Sequence, residues 1–442
     1  MPITGGSFNL HNKVLPGAYI NFVSKGGAVS SGARGIATLP LSLNWGAEDK
    51  LIKIDAAEFN KQALPLLGYS ATAPELLLVR ECLKRAEQLL LYRVNKGGTA
   101  ASKSIGGIAG GVMVTAKHSG IRGNDIKVAV LNNTAGGFDV LTYMEQQLVD
   151  TQTVSAAAEL VANDFVQFGT GTLSASAAIT LEGGANGTAD GLTYAAYLNA
   201  VEVENFNAIG YPGTDPAIKS LLVSFTKRLR DDEGKKVVCV LHNQPADHEG
   251  IINLKNGVVL ADGTTISGDK AVAWVVGASA AAAINESLTN VAYDGAVDTD
   301  IKYTRSQYEA AVKAGEFVFY GDSGQARVLS DMNSLVTFGN GKSPDWTSNR
   351  VIRVMDGWGN DVARIFGASY TGIATNNDTS RQLFKADLVS LAMQYENIGA
   401  ISSFDSEDIT ISQGLGKRDV IVECALTPND SMEKLYMTVQ VA

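Results

Sequence analysis

The chain has 442 residues, of which 45% are hydrophobic and 19% charged, and its formal net charge is −10 at pH 7. This length predicts about three units of roughly 100–150 residues, each with its own core. The acidic balance argues against a nucleic-acid partner, which would need clustered lysine and arginine. No run of about 18 apolar residues is present, so no insertion into a membrane is expected.

The cysteines indicate the compartment in which the chain is made. Cys82, Cys239 and Cys424 are odd in number and lie far apart in apolar sequence. This pattern is typical of reduced, buried cysteines in a cytoplasmic product. The first residues, MPITGGSFNLHNK, contain neither the basic nor the apolar part of a secretory signal peptide. We therefore expect synthesis in a cytoplasm without export through a signal peptide.

The pattern of residues 1–97 predicts an arm followed by an α/β unit. Residues 1–32 are small and polar, with glycine pairs at positions 5–6 and 26–27. Residues 33–97 predict a compact α/β unit, with a helix opened by Pro74 and a buried parallel strand at residues 89–94. Between the glycine pairs, an alternating segment predicts one strand of the arm: Ala18, Tyr19, Ile20, Asn21, Phe22 and Val23.

Residues 98–190 predict an inserted domain. Short runs typical of strands occur at residues 112–117, 126–131 and 138–147, separated by glycine-rich turns. This spacing indicates a small β-sandwich or barrel. Glycine-rich joints bracket the insertion, so we expect few core contacts to cross them and the domain to be peripheral and removable.

The α/β pattern resumes in residues 191–338. Strands at residues 206–211 and 236–241 are joined by a helix with Pro216 in its first turn, which forms a right-handed βαβ unit. Farther along, Asn256-Gly257 lies between two short apolar runs. That dipeptide predicts a tight hairpin between the runs.

Residues 339–442 predict a self-contained α+β module. A helix over residues 349–367 precedes a second helix. Strands follow at residues 409–411 and 419–426, and they could pair with a further strand predicted at the end of the chain. On the second helix, Arg381 and Lys385 lie on the polar face. One apolar stripe is expected to pack the core of the module: Phe384, Leu388, Leu391, Tyr395 and Ile398.

The last stretch alternates strictly and predicts a half-buried strand. It can pair within its own chain, or it can be lent to a neighbouring copy by β-augmentation. The alternation by itself slightly favours pairing within the chain. The residues of this segment are Leu435, Tyr436, Met437, Thr438, Val439, Gln440 and Val441.

No convincing active site is found. Gly321-Asp322-Ser323-Gly324 matches the surroundings of a serine-protease nucleophile, but it lies between two alternating strands, which favours a hairpin turn. His242 ends a predicted parallel strand and His248 follows it, yet no G-x-S-x-G elbow is present. Neither histidine has companions at metal-ligand spacing. We predict no catalytic residue, no metal and no cofactor.

Several motifs together resemble a known family. The stretch PNDSMEKLYMTV at residues 428–439 is similar to the closing motif of tail sheath proteins from contractile bacteriophages. The stretch NRVIRVMD at residues 349–356, Tyr370-Thr371-Gly372 with Asn376-Asn377, and LPGAYI at residues 15–20 also fit. The resemblance covers the whole chain in domain order and is most specific in residues 339–442. One departure, the glycine-rich DGWG at residues 356–359, leaves the exact helix start open.

The resemblance implies a fold and a function. The fold class is α/β and α+β multidomain, with a subtilisin-like core, an inserted β-sandwich and a C-terminal α+β domain with strand arms. The expected domains are residues 1–32, 33–97, 98–190, 191–338 and 339–442. The implied function is a sheath of stacked hexameric rings that contracts and drives an inner tube through a cell envelope. The particle would be a phage tail or a bacteriocin-type particle.

The same resemblance implies the partners. These are further copies of the chain, the inner tube protein, and baseplate and tail terminator proteins. Both terminal strands would link neighbouring subunits, and Arg381 and Lys385 would be free to contact the tube. Two other functions stay open from the residues alone, a subtilisin-like hydrolase and an extracellular lattice or adhesion protein. The first would need a nucleophile with its base and the second a signal peptide.

Overall fold

The computed structural model of the protein describes residues 34–105, 110–134, 136–339 and 341–440. These residues fall into two compact units, residues 34–360 with 428–440 and residues 361–427. The strands are β1 (Ile36–Leu41), β2 (Leu51–Asp55), β3 (Gln88–Arg93), β4 (Ser102–Ile105), β5 (Val112–Ala116), β6 (Ile126–Asn132), β7 (Phe138–Met144), β8 (Gln147–Val154), β9 (Val166–Phe168), β10 (Ser176–Thr180), β11 (Ala208–Tyr211), β12 (Val238–His242), β13 (Ile251–Leu254), β14 (Val258–Leu260), β15 (Thr265–Ile266), β16 (Ala296–Thr299), β17 (Glu316–Phe317), β18 (Phe319–Asp322), β19 (Gln325–Val328), β20 (Ile409–Gln413) and β21 (Val420–Cys424). The helices are α1 (Phe59–Leu67), α2 (Leu77–Leu83), α3 (Gly191–Glu202), α4 (Pro216–Lys227), α5 (Gly268–Ala281), α6 (Arg305–Lys313), α7 (Asn349–Ser369) and α8 (Asp378–Asn397).

A seven-stranded sheet forms the centre of the larger unit. Its order is β17-β13-β12-β11-β1-β3-β2, and every neighbouring pair is parallel except β2 with β3. The central strands are almost continuously apolar because helices cover both faces of the sheet. One core contains side chains of α1, α2 and α5, and the other contains side chains of α3 and α4. The predicted α/β pattern is confirmed, and it includes strands from both sides of the insertion.

The hairpin predicted at Asn256-Gly257 is wrong, because β13 and β14 belong to different sheets. The Asn256 amide instead accepts from the Phe319 N–H at 2.9 Å and donates to the Phe319 carbonyl at 3.1 Å. The Gly257 N–H donates to Asp300 Oδ1 at 2.8 Å. Buried long-range bonds have therefore replaced the local turn that the dipeptide favours.

The hairpin predicted at the GDSG stretch is confirmed. Strands β18 and β19 are antiparallel, and Asp322 lies opposite Gln325. The two loop residues, Ser323 and Gly324, have φ of 50° and 76°. Positive φ at both positions is the geometry of a type I′ turn, which matches the twist of the flanking strands. The serine is therefore a turn residue, and its hydroxyl bonds Asp322.

The inserted region consists of two antiparallel sheets, β10-β6-β7-β8 and β4-β5-β9, that share one core. This core is not closed off from the α/β unit. Trp45, which is fully buried, packs edge-on against His118 at 5.1 Å and stacks on Phe165 at 6.5 Å. Arg122 donates to the Gly68 carbonyl at 2.7 Å. The expectation that few core contacts cross the joints is wrong.

The glycine-rich joints themselves are paired segments. Lys96 bridges Thr188 in antiparallel pairing. A Cβ atom at Gly187 would lie 1.9 Å from the Lys96 carbonyl oxygen, so the close approach of the two joints requires glycine at that position. Glycine here permits tight packing of two chain segments, whereas the sequence pattern alone had indicated a loose connection.

In the unit of residues 361–427, α8 packs its predicted stripe inward. Phe384, Leu388, Leu391 and Tyr395 are all at most 3% exposed. The fifth predicted member, Ile398, is 46% exposed, so that part of the prediction is wrong. The reason is that α8 ends at Asn397, beyond which the chain leaves the helical direction and Gly399 takes a φ of 70°.

Strands β20 and β21 pair antiparallel as a two-stranded sheet in the same unit. Cys424 lies on β21 and is exposed, which contradicts the expectation of three buried cysteines; Cys82 and Cys239 are buried. A two-stranded sheet offers less cover than the central sheet that holds Cys239. Residues 431–440 form neither helix nor strand. The predicted strand at residues 18–23 and Val441 lie outside the described residues.

Candidate assembly surfaces

The histidines singled out from the sequence lie in hydrogen-bonded surroundings. His242 ends β12, and its Nε2 is 3.1 Å from the Asn243 side-chain nitrogen. His248 Nε2 lies 3.1 Å from Asp231 Oδ2. Burial lowers the pKa of both rings from the usual range, and for His248 the neighbouring Glu249 and Asp231 oppose that shift. Both rings are thereby favoured in the neutral form at pH 7.

The fold brings together three ligand-type residues that spacing in the sequence did not reveal. The possible ligand atoms of Asp231, His248 and Glu249 all lie within 4.8 Å of one another. Asp231 belongs to a π-helical turn (Arg228–Asp232) that continues α4, whereas the other two residues precede β13. Only the tertiary structure places these two segments side by side, so no local motif could have predicted the cluster.

The bonds within this cluster favour an ion-pair network over a metal site. The Gly250 N–H donates to His248 Nδ1 at 3.0 Å, which leaves the proton on Nε2, where a metal would have to bind. Lys342 Nζ lies 2.8 Å from Glu249 Oε2. Burial alone would raise the pKa of Glu249, but the Lys342 hydrogen bond and neighbouring groups hold it below the usual range. Glu249 Oε2 is therefore paired with Lys342, and His248 Nε2 carries a proton, so neither atom is available to bind a metal.

Two buried ion pairs fix the first turns of α7 within the larger unit. Arg230 makes a bidentate contact with Asp356, at 2.7 and 2.9 Å, and its side chain is 3% exposed. Arg353 lies 3.4 Å from Asp331, which also accepts from the side-chain amide of Asn349 at 2.8 Å. Buried charges that lose such partners are strongly destabilising. The stretch NRVIRVMD therefore supplies helix-anchoring residues.

The base of the C-terminal segment is tied to the larger unit by two carboxylates. Glu433 accepts from the Thr289 hydroxyl at 2.6 Å and from the Ser330 hydroxyl at 3.3 Å. Asp430 accepts from the Ser348 hydroxyl at 3.0 Å. The carboxylates of the PNDSMEK stretch thus hold the point at which the segment leaves the body of the unit.

Beyond this anchored base the apolar side chains are uncovered. Leu435, Tyr436, Met437 and Val439 are 84%, 90%, 73% and 68% exposed. Isolated exposed apolar residues are ordinary, but a contiguous run of this kind marks an interaction surface. The alternating segment has no strand partner among the described residues of its own chain.

The residues of the YTG and NN motifs organise the smaller unit. The Tyr370 hydroxyl donates to Asp387 at 2.6 Å, and Gly372 turns the chain with a φ of 71°. The Asn376 amide donates to the carbonyls of Lys417 and Asp419, at 3.1 and 3.0 Å. Asn377 caps α8 by accepting from the Ser380 N–H. Each motif residue has a positional role that the sequence alone did not reveal.

The two predicted tube-contact residues lie against their own module. The Arg381 side chain is 11% exposed and bonds both Asn376 and Asp378. The Lys385 side chain is 21% exposed, with Nζ 3.8 Å from Glu407. Their existing partners limit how freely either cation could reach another protein.

Comparison with known proteins covers nearly the whole chain. Family models match at residues 34–94 (tail sheath protein Gp18 domain III N-terminal region), 96–186 (phage tail sheath protein beta-sandwich domain), 187–334 (phage tail sheath protein central domain) and 341–442 (phage tail sheath C-terminal domain). The phage-like element PBSX protein XkdK of Bacillus subtilis is 37% identical over 99% of this chain and 100% of its own length. The chain belongs to the phage tail sheath family.

Solved structures agree with the sheath fold. A crystallised sheath tail protein of Desulfitobacterium hafniense is 44% identical, with a TM-score of 0.84 over 96% of this chain and 100% of that one. The contracted helical sheath of the anti-feeding prophage has a TM-score of 0.58 at 11% identity, covering 97% of this chain and 99% of that one, and this likeness concerns the fold alone. The sheath family is a structural one. Within the described residues, no helix is both long and apolar enough to cross a membrane.

Proposed function

We propose that this sheath protein polymerises as hexameric rings stacked helically around an inner tube, and that contraction of the lattice drives the tube through a cell envelope. The observation that carries the proposal is the C-terminal segment. Its base is fixed by Asp430 and Glu433, its apolar side chains beyond that base are exposed, and its sequence alternates as that of a strand would. Such a segment is suited to add a strand to a sheet of a neighbouring subunit.

The proposed link pairs residues 435–441 and residues 18–23 with the β20–β21 sheet, using strands from different subunits. Backbone hydrogen bonds net only about 0.5–1.5 kcal/mol each, but several occur per strand. Burial of Leu435, Met437 and Val439 adds to them. Because backbone pairing does not depend on how the globular faces pack, this link can persist while those faces rearrange on contraction.

The remaining parts of the proposal concern the architecture and the partners. The mostly parallel sheet with helices on both faces supports a subtilisin-like core, and the domains are proposed as residues 1–32, 33–97, 98–190, 191–338 and 339–442. The inner tube, baseplate and tail terminator proteins are the proposed partners besides further copies. Assembly after synthesis in the bacterial cytoplasm would place the protein in a phage tail or phage-tail-like particle.

Truncation of residues 435–442 tests the proposal. The truncated chain should fold and stay soluble but build no tubes, whereas the full chain should form striated tubes in negative-stain micrographs. A matched variant, Leu435→Ser with Met437→Ser, keeps the backbone and should weaken assembly less than the truncation does. Normal tubes from the truncated chain, or pairing of both arms only within one chain, would refute the link.

A further inference from the structure

The unit of residues 361–427 contains a pocket of about 420 Å³ whose floor is aromatic. The ring centroids of Tyr370 and Phe384 are 4.8 Å apart, and those of Phe366 and Phe384 are 5.3 Å apart. Phe366 and Tyr370 are nearly parallel, with an interplanar angle of 10°. Three rings in mutual contact offer a rigid apolar surface on which a side chain can stack.

The rim of the pocket is basic. Arg381 is engaged with Asn376, but Lys417 and Arg418, in the turn between β20 and β21, are exposed. Within the described part of the chain, neither forms an ion pair. Their nearest acidic neighbour in sequence, Asp419, accepts from the Gly416 N–H at 2.9 Å. The turn therefore presents two positive charges at the mouth of an apolar pocket.

Two apolar side chains close in sequence to the lining residues are also exposed. Leu415, two residues before the lining residue Lys417, is fully exposed, and Ile373, between the lining residues Gly372 and Ala374, is 71% exposed. An aromatic centre with a polar rim is the composition of a protein interface, where arginine is enriched. An uncovered apolar surface of this kind favours an interaction site over a solvated face.

We propose that this pocket receives an acidic segment with an apolar anchor from a second copy of the chain, an inference that rests on the proposed self-assembly. Charge complementarity points to that occupant, because the chain carries a net charge of −10 while this rim is positive. Carboxylates would meet Lys417 and Arg418, and the apolar side chain would lie on the rings.

Photo-crosslinking tests the occupant directly. Ala374 lines the pocket and is exposed, so it is replaced with p-benzoylphenylalanine in a chain mixed equally with an isotope-labelled copy. After polymerisation and irradiation, we expect cross-linked peptide pairs with one light and one heavy member, the captured peptide containing aspartate or glutamate. Cross-links confined to one chain, or none in well-formed polymers, would overturn the proposal. Capture of a tube protein instead, when that protein is added, would also overturn it.

Charge reversal provides the second measurement. The double variant Lys417→Glu/Arg418→Glu should raise the critical concentration for polymerisation by at least about tenfold, because like charges would face each other across the contact. The control Lys61→Glu/Lys270→Glu changes the net charge equally at exposed positions outside the pocket and should leave that concentration within about twofold. Circular dichroism confirms that both variants fold. An unchanged critical concentration in the first variant overturns the pocket assignment alone, whereas a wild-type chain that never polymerises overturns the proposed function and this inference together.

Discussion

At the scale of single residues, a buried ion pair helps to position α7 in the larger unit. Arg230 lies in the π-helical turn after α4, and Asp356 lies in α7, yet the two side chains meet bidentately away from water. Such a pair need not stabilise more than well-packed apolar residues would, but removing one partner leaves a buried charge uncompensated. The pair therefore ties α7 at Asp356 to the π-helical turn that follows α4.

Asp356→Ala should lower the free energy of unfolding by about 3–5 kcal/mol, because Arg230 would stay buried without a counterion. The double variant Arg230→Met/Asp356→Leu should recover most of that loss. Urea unfolding followed by tryptophan fluorescence measures both. As a control, Lys61→Ala removes an exposed pair with Glu58 and should cost less than about 1 kcal/mol. Equal losses in the single and double variants would contradict this role for the pair.

Histidine titration should make the protein less stable in mild acid. Burial, with Lys117, Arg93 and Lys50 nearby, lowers the pKa of His118 to about 4. In the unfolded chain the ring protonates near its ordinary pKa of about 6.5, so the unfolded state binds more protons between these values. The stability that neutral His118 contributes is complete above about pH 6.5 and is lost as the pH falls toward about 4.

Measurement of the urea midpoint from pH 7.5 down to pH 5 checks this prediction. The His118→Gln variant should show a shallower loss than the wild type. His242 and His248 have lowered pKa values of the same sign, so part of the slope should remain in that variant. A variant with the wild-type slope would show that His118 does not titrate differently in the folded and unfolded states.

At the scale of elements, the inserted β-sheets and the α/β unit share side chains across their joints. Trp45 comes from the α/β segment but belongs to the core of the insertion. Arg93, which ends β3 and is fully buried, donates to the Ser119 carbonyl of the insertion at 2.9 Å. Removing the insertion would therefore uncover both an indole ring and a buried guanidinium.

Deletion of residues 98–190 with direct joining of the flanks should give a destabilised, aggregation-prone chain. Adding Trp45→Gln and Leu64→Gln to the same deletion should restore solubility, because both side chains pack against the insertion core. Size-exclusion chromatography compares the two deletion variants, and negative-stain microscopy tests whether the soluble one still polymerises. A simple deletion variant as stable as the wild type would mean that the shared contacts contribute little.

At the scale of the whole molecule, contact with the tube has to be separated from the stability of the smaller unit. Lys385 lies 3.8 Å from Glu407 of the same unit, so Lys385→Glu alone would disturb both. The charge swap Lys385→Glu/Glu407→Lys preserves the pair but moves the positive charge. If Lys385 contacts the tube, co-sedimentation of sheath with purified tube should fall in the swap as well as in the single variant. Recovery to wild-type levels in the swap would remove Lys385 from the proposed contact.

Arg381 calls for a milder change, because its guanidinium bonds Asn376, which in turn holds the β20–β21 turn. Arg381→Gln should lower the melting temperature of the protein, and any loss of tube binding should be no larger than the loss of folded protein explains. Arg381 stays in the proposed tube contact only if this variant loses more tube binding than its loss of folded protein accounts for.

The sequence by itself determined the elements whose signal is local. Alternation and apolar runs predicted the central strands, and the apolar stripe predicted the buried face of α8 as far as Tyr395. Turn chemistry predicted the hairpin at Ser323-Gly324, because positive φ at two successive residues is a property of those residues themselves. The motif resemblance pointed to the sheath family for the same reason, since it depends on residues close together in the chain.

Only the tertiary structure decided the contacts made over long sequence separations. Asn256 bonds Phe319 across the fold, and the local hairpin signal gave way to that buried pairing. Trp45 packs in a core whose other members lie beyond residue 98. Asp231, His248 and Glu249 meet only because the fold places the π-helical turn after α4 beside the segment that precedes β13. A local pattern records the preferences of neighbouring residues, whereas burial depends on which distant segments exclude water together. The physical reason is that a buried polar group must find a partner wherever the fold supplies one.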